Sequence, residues 1–204
     1  MKIIGITGGT GSGKTTALKV LEGMGAYVID CDKLYHDLTV NSADMKAELE
    51  ARFDGVIING VLDRKKLGSI VFSSPEKLGQ LNAITHKYVS SEIGRILERE
   101  RKSRRKAVAI DAIALIESGL KDLCDIVVAV TAPTDKRIER IMQRENIGAD
   151  YARLRIDAQK TQEWYARLSD ITLVNDGTLA AFERLCIEKF SDILSRTDIT
   201  KTMD

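Results

Sequence analysis

The sequence contains little proline, histidine or cysteine. Its 204 residues include two prolines, two histidines and three cysteines. Three widely spaced cysteines do not form a disulfide framework, and none has the pairwise spacing of a metal cluster. With so few prolines and no glycine–serine linker, separate domains on a tether are not expected. The sequence therefore predicts a cytoplasmic protein with reduced thiols.

Long hydrophobic runs and an excess of one charge are also missing. No window reaches the roughly 18 apolar residues of a membrane helix, and the N-terminal apolar stretch is too short for a signal peptide. The net charge of +1 gives no general attraction to nucleic acid or membranes. Apolar residues nevertheless make up 44% of the chain, enough for a sizeable core. We expect a folded monomer with no nucleic-acid or membrane partner.

Five short apolar runs alternate with helical patterns. The runs are continuous, as in parallel strands buried on both faces, and cover residues 1–7, 26–30, 107–111, 124–130 and 171–175. Helices are predicted over 14–24, 76–102, 134–145, within 149–167 (one or two) and over 179–194. This order predicts an α/β fold with a five-stranded parallel sheet flanked by helices. The polar tail, residues 197–204, is expected to fray.

A glycine-rich stretch follows the first apolar run. Residues 8–15, GGTGSGKT, match G-x-x-x-x-G-K-[ST] between a predicted strand and a predicted helix. Such a loop turns successive N–H groups toward phosphate oxygens, and the lysine adds a charge. The pattern predicts a triphosphate site that uses Gly9, Gly11, Ser12, Gly13, Lys14, Thr15 and Thr16, with the Thr15 hydroxyl as a Mg²⁺ ligand. It does not distinguish a kinase from a GTPase or an ATPase.

Two carboxylates end predicted strands at the edge where ligands bind in such sheets. Asp32 follows the second strand, where it could accept a hydroxyl proton during phosphoryl transfer or cap the next helix; the two roles are compatible. Asp111 ends the third strand, where it could hold Mg²⁺ through water or orient a substrate, or serve only as a polar strand end.

Arginines are concentrated in the segment 134–167. Arg137, Arg140 and Arg144 have the spacing of one helix face, and Arg153 and Arg155 follow. They could form a mobile lid that neutralises phosphate charge and excludes water. The alternative is a solvated basic face paired with Glu139 and Glu145. The basic run at 99–106 has no aromatic residues among it and indicates a solvated helix end.

Several stretches resemble dephospho-CoA kinases. They are GITGGTGSGKTT at 5–16, VIDCD at 28–32, LDRKKLGSIVF at 62–72, LNAITHK at 81–87, DAIALIESGL at 111–120, RIDAQ at 155–159 and LVNDG at 173–177. The likeness runs in order through nearly the whole chain. It departs from the family at Lys87, usually proline, at Ala112–Ala114, usually a proline-containing turn, and at Ile116, usually phenylalanine.

The resemblance implies a fold like that of nucleoside monophosphate kinases and a reaction. ATP would phosphorylate the ribose 3′-hydroxyl of dephospho-CoA, with Mg²⁺ present. The core would comprise 1–32, 107–133 and 168–204, with a CoA-binding insertion at 33–106 and a lid at 134–167. The implied roles are Asp32 as base, Lys14, Arg140 and Arg144 as cations, Asn175 as an ATP contact, and Thr7, Asp32, Arg64, His86, Asp111 and Glu117 as substrate contacts.

Two other functions remain compatible with the residues alone. The nearest is a nucleoside or nucleotide kinase, which would share the glycine loop and the arginines. The second is a switch protein in which bound ATP regulates a partner, but such a protein would need neither a base nor lid arginines.

Overall fold

The computed structural model describes residues 1–195, so the tail at 197–204, predicted to fray, lies outside it. The strands are Lys2–Thr7 (β1), Tyr27–Asp30 (β2), Ile57–Ile58 (β3), Val61–Leu62 (β4), Ala107–Asp111 (β5), Ile126–Thr131 (β6) and Ile171–Val174 (β7). The α-helices are Lys14–Gly23 (α1), Cys31–Asn41 (α2), Ala43–Arg52 (α3), Arg64–Val71 (α4), Pro75–Lys102 (α5), Thr134–Glu145 (α6), Ala149–Asp157 (α7), Gln162–Arg167 (α8) and Leu179–Ser195 (α9). A 3₁₀ helix covers Leu120–Leu123.

The main sheet has five parallel strands in the order β2-β5-β1-β6-β7. β1 lies in the middle, with Ile6 in register with Asp111 of β5 and Val128 of β6. The carboxyl ends of β1 and β5 are therefore neighbours, which brings the glycine loop and Asp111 to one edge. The predicted five-stranded parallel sheet is confirmed.

Two compact units make up the described chain. The first contains Met1–Val28 and the described residues from Glu100 onward, and the second contains Ile29–Arg99. In the first, α1 and α9 pack against the sheet around Ile4, Leu21 and Phe190, all fully buried. In the second, Met45 and Leu49 of α3 are part of a separate apolar core. Each unit thus buries its own apolar side chains, the main source of folding free energy. The division into core, CoA-binding insertion and lid stays a prediction.

The sequence prediction was incomplete in the second unit. Before α5, that unit contains α2, α3, the antiparallel pair β3–β4 and α4, none of which was delimited from the sequence. These elements are short and mostly polar, so their periodicity is weak. No helix within residues 1–195 is long and apolar enough to cross a membrane.

Candidate active site

In the glycine loop between β1 and α1, Gly8 and Gly13 are among the positions that require glycine for both space and conformation. Gly8 and Gly13 have φ values of 137° and 107°, in the left-handed region. A Cβ on Gly8 would lie 2.2 Å from the Val130 carbonyl oxygen, and one on Gly13 would lie 2.1 Å from Asn175 Nδ2. No side chain caps α1, so its N-terminus presents backbone N–H groups and a positive dipole end to an anion.

A cavity of about 450 Å³ lies over this loop. Four cationic side chains line it, namely Lys14, Arg140, Arg144 and Arg155. Its other lining residues are Gly9, Thr10, Gly11, Gly13, Thr15 and Ile113. Predicted loop residues and both predicted lid cations therefore meet at one place. Arg155 was named among the arginines of a possible lid, but it was not among the cations that the resemblance implies for the site. So many positive charges around exposed backbone N–H groups suit a polyphosphate.

Lys14 is paired with Asp111 in this structure. Its Nζ donates to Asp111 Oδ1, and the side chains are 15% and 19% exposed. The pair follows from the sheet order, because β5, which Asp111 ends, lies beside β1. Asp111 is thus more than a polar strand end, since it holds the lysine that the glycine loop places at the cavity.

Two residues of the segment 134–167 hold the outer side of the loop. The side chain of Arg137 is buried, and its Nε donates to the Thr10 carbonyl oxygen at 2.8 Å. Gln159 Oε1 accepts from the Thr10 N–H at 2.9 Å and from Arg137 Nη2 at 3.2 Å. Burial lowers the pKa of the Arg137 guanidinium from its ordinary value. The spacing predicted which helix face Arg137 shares, but neither its burial nor its contact with Gln159.

Arg140 and Asn175 contact the loop from a second direction. Asn175 Nδ2 donates to the Ser12 carbonyl oxygen at 2.9 Å, and its Oδ1 accepts from Arg140 Nη2 at 3.1 Å. Arg140 Nη1 donates to the Gly11 carbonyl oxygen at 3.2 Å. Asn175 and Ser12 are both buried. The polar atoms of Asn175 therefore bond to the protein itself, and the contact with ATP predicted for it stays a prediction.

Other predicted residues of the first unit are distributed around the loop. The Thr7 hydroxyl, fully buried, donates to the Ile113 carbonyl oxygen at 3.0 Å, a bond internal to the protein. Thr16 lies in the first turn of α1, and its N–H donates to the Gly13 carbonyl oxygen at 3.0 Å. Glu117 is exposed. The pKa of the Tyr165 hydroxyl is raised first by the burial of that hydroxyl and second by the negative charge of Glu117. The substrate contacts of Thr7 and Glu117 stay predictions.

In the second unit, Asp30 rather than Asp32 is the cap of α2. Asp30 Oδ1 accepts from the Lys33 N–H at 2.9 Å, and Asp32 lies one residue inside the helix with its side chain exposed. The interpretation of Asp32 as the cap is therefore wrong, because the helix begins earlier than the sequence indicated. This leaves the Asp32 carboxylate without a capping role.

Arg64 and His86 also lie in the second unit. Arg64 Nη2 bonds to His36 Nδ1 and donates to the Thr39 hydroxyl at 3.0 Å. His36 thus has a partner that its sequence position did not reveal. His86 lies within α5 and is half-buried. The roles of Arg64 and His86 as substrate contacts stay predictions.

Comparisons with known proteins agree with these features. Residues 2–181 match the sequence model of the dephospho-CoA kinase family. A dephospho-CoA kinase of Dehalococcoides mccartyi is 36% identical over 178 residues, covering 86% of this chain and 89% of its own length. A crystal structure of a Thermus thermophilus protein has a TM-score of 0.74 at 31% identity and covers 94% of this chain and 97% of its own. A dephospho-CoA kinase structure from Campylobacter jejuni has a TM-score of 0.68 at 25% identity, with 95% and 98% covered. The chain belongs to the dephospho-CoA kinase family.

Proposed function

We propose that this chain transfers the γ-phosphate of ATP to the ribose 3′-hydroxyl of dephospho-CoA, giving coenzyme A. The observation that carries the proposal is the cavity over the glycine loop, where Lys14, Arg140, Arg144 and Arg155 converge. Phosphoryl transfer needs little covalent help from a protein, so positioned cations supply most of the rate. Family membership supports dephospho-CoA as the acceptor.

The residues at the cavity fit a Mg²⁺ ion bound together with ATP. Thr15 lines the cavity, and the Asp111 carboxylate lies beside Lys14. These are the oxygen donors that Mg²⁺ prefers, and with a triphosphate it needs only one or two of them from the protein. When bound there, the ion would neutralise charge on the transferring phosphoryl group. Thr15 and Asp111 are the residues that would hold it, Asp111 after releasing Lys14.

Asp32 is the proposed base for the acceptor hydroxyl. Its carboxylate is exposed in the first turn of α2, and the capping bond of that helix belongs to Asp30. A carboxylate that is not committed to the helix backbone can accept the 3′-hydroxyl proton as the oxygen attacks phosphorus. The proposed acceptor contacts are Thr7, Arg64, His86, Asp111 and Glu117.

An acceptor assay tests the reaction. Purified protein is incubated with ATP, Mg²⁺ and dephospho-CoA, and coenzyme A is measured by mass spectrometry; parallel samples contain adenosine or AMP. Coenzyme A formed only from dephospho-CoA supports the proposal. Phosphorylation of adenosine or AMP instead would indicate a nucleoside or nucleotide kinase. ATP binding with slow hydrolysis and no phosphorylated acceptor would indicate a switch protein.

We also propose that the chain acts in the cytoplasm as a monomer. The reduced thiols expected from the cysteine spacing support the location. Light scattering coupled to size-exclusion chromatography tests the monomer: a mass near 22.6 kDa supports it, and a mass of twice that value or more would contradict it.

A further inference from the structure

Three residues of the segment 134–167 contact Thr10, and each bonds to a different group of Thr10. Arg137 donates to its carbonyl oxygen, Gln159 accepts from its N–H, and Arg144 Nη2 donates to its hydroxyl at 3.2 Å. Arg137 and Gln159 also bond to each other, and this hydrogen-bonded pair is called here the Thr10 clamp. Because both backbone groups of Thr10 are bonded to the clamp, the clamp fixes the position of Thr10, which itself lines the cavity.

The loop needs an external support of this kind. Thr10 is flanked by Gly8 and Gly9 on one side and by Gly11 and Gly13 on the other. Glycine has the widest choice of backbone conformations, so such a loop has little preference of its own for the arrangement that binds phosphate. The apparent affinity of such a loop is its intrinsic affinity multiplied by the fraction of time that it is correctly arranged, so a loop that is seldom ordered binds weakly.

Gly9 supplies independent evidence for the clamp. Its φ lies outside the left-handed region, so backbone conformation does not require glycine there. A Cβ on Gly9 would, however, lie 2.4 Å from Arg137 Nη2 and 2.9 Å from Gln159 Oε1. The side-chain hydrogen at this position thus leaves room for the two clamp residues to approach the backbone.

Burial makes the two clamp residues depend on each other. Arg137 is only 2% exposed, and a buried guanidinium is tolerated when its N–H groups are bonded. Gln159 Oε1 accepts from Arg137 and from Thr10 at once. Loss of this one oxygen would remove a bond from the loop and a partner from a buried charge.

We propose that Arg137 and Gln159 are positioning residues for the nucleotide, which fix the glycine loop through Thr10 in the arrangement that binds the polyphosphate. The inference rests on the proposed function only in naming ATP as the ligand. Its signature is a change in ATP affinity that exceeds any change in the affinity for the acceptor.

Replacement of the clamp oxygen tests this. Gln159→Met keeps the length of the side chain and removes the acceptor, so the Kd for ATP–Mg²⁺, measured by isothermal titration calorimetry, should rise about tenfold. The matched control is Gln162→Met, because Gln162 Oε1 also accepts from a backbone N–H, that of Ala132 at 2.7 Å, which is not part of the glycine loop. The control should leave the Kd within roughly twofold of the unaltered value, since its hydrogen bond is not made to Thr10 or to the clamp.

Two further variants keep the test decisive if Gln159→Met folds poorly. In Gly9→Ala the added methyl group would push Arg137 and Gln159 away from the glycine loop, so this variant should also raise the Kd for ATP. Gln159→Glu keeps an acceptor oxygen and should bind ATP more tightly than Gln159→Met. An unchanged Kd in Gln159→Met or in Gly9→Ala, or an equal rise in Gln162→Met, would overturn the inference.

The calorimetric measurement also separates this inference from the proposed function. It needs no acceptor, so a chain that binds ATP but makes no coenzyme A still decides the role of the clamp. In turnover assays the KM for dephospho-CoA should change by less than about twofold in Gln159→Met, as expected for a site that the variant does not touch. A parallel rise in both KM values would contradict a role specific to the nucleotide.

Discussion

Two aspartates at the start of α2 have different surroundings although one residue separates them. Asp30 accepts a hydrogen bond from the Lys33 N–H, whereas Asp32 is exposed and lies inside the first turn. The first is committed to helix capping, and the second has a carboxylate available for chemistry. This division of roles makes the pair a sensitive test of the proposed base.

Asp32→Asn should lower kcat by about 10²- to 10⁴-fold, because asparagine cannot accept the proton of the attacking hydroxyl. The Kd for ATP should remain unchanged. Asp30→Asn is the matched control, since asparagine caps helices as well as aspartate does. Steady-state kinetics and calorimetry on both variants check this, and similar kcat values for the two would remove Asp32 from the mechanism.

Gly13 is a second residue whose replacement has a specific consequence. Gly13→Ala should cost about 1–2 kcal/mol from the left-handed backbone alone and should also displace Asn175, so ATP affinity should fall sharply. Gly25→Ala separates the two effects, because Gly25 has a φ of 90° but nothing within 4 Å of an added Cβ. Gly25→Ala should lower the free energy of unfolding by a similar amount, because the backbone strain is similar, yet it should leave the Kd for ATP unchanged. An equal loss of affinity in both variants would contradict this explanation.

At the scale of elements, α3 carries two glutamates, Glu48 and Glu50, whose ionised carboxylates accept hydrogen bonds from other elements. Glu50 accepts from the N–H groups of Ile57 and Gly55, each at 2.7 Å, and so attaches the loop before β3 to α3. These hydrogen bonds from backbone N–H groups lower the pKa of Glu50, and the bond from Ile57 has the larger effect. Hydrogen bonds from Lys87 and then Tyr88 of α5 lower the pKa of Glu48. Both pKa values lie below the ordinary value of 4.5.

Acid should therefore destabilise the protein through these groups. A lowered folded-state pKa contributes stability that is present above pH 4.5 and is lost as the pH falls through the folded-state value. Melting temperatures measured from pH 6 to pH 3 should fall less steeply in Glu48→Gln/Glu50→Gln than in the unaltered protein. The control is Glu188→Gln on α9, whose partner Lys189 is adjacent in sequence; its pH profile should match that of the unaltered protein. Parallel profiles for the double variant and the unaltered protein would contradict the prediction.

Elements also show how far the sequence can predict this structure. β1, β5 and β6 are continuous apolar runs because both faces of the sheet are covered there, so their positions could be read directly. β7, at the edge of the sheet, is partly exposed, but its apolar residues still marked it as a strand. α3 was missed because its two fully buried side chains, Met45 and Leu49, give little periodicity. The burial of Arg137 could not be predicted, because it depends on Thr10 and Gln159, which are distant in sequence.

For the whole molecule, the three cysteines are buried and none forms a disulfide. Burial, and secondarily the charge of Glu183, raises the pKa of the Cys186 thiol to about 12. Because only the thiolate reacts rapidly, Cys186 is doubly protected in the folded state. In the unfolded chain it would ionise at its ordinary value of 9.0, so this thiol contributes stability below pH 9 that is lost as the pH rises toward 12.

The thiols consequently report on global unfolding. At pH 8, modification of the native protein by dithionitrobenzoate should be at least about 100-fold slower than in 6 M guanidinium chloride, since buried thiols react after opening. All three thiols should react in the denaturant. ATP–Mg²⁺ should slow the native reaction further by stabilising the folded state. Rapid modification of Cys186 in the native protein would contradict its burial in the core.

The central position of β1 has a consequence for how the chain emerges from the ribosome. β1 and the glycine loop are synthesised before the strands that flank β1, since Lys2 pairs with Ala107 and Ile4 pairs with Ile126. The side chains that hold the loop, from Arg137, Gln159 and Asn175, emerge later still. At translation rates of about 5–20 residues per second, β1 waits roughly 5–25 seconds for β5 and β6. The nucleotide site is therefore completed only after Asn175 has been synthesised, so nascent chains that stop before it cannot present the assembled loop to ATP.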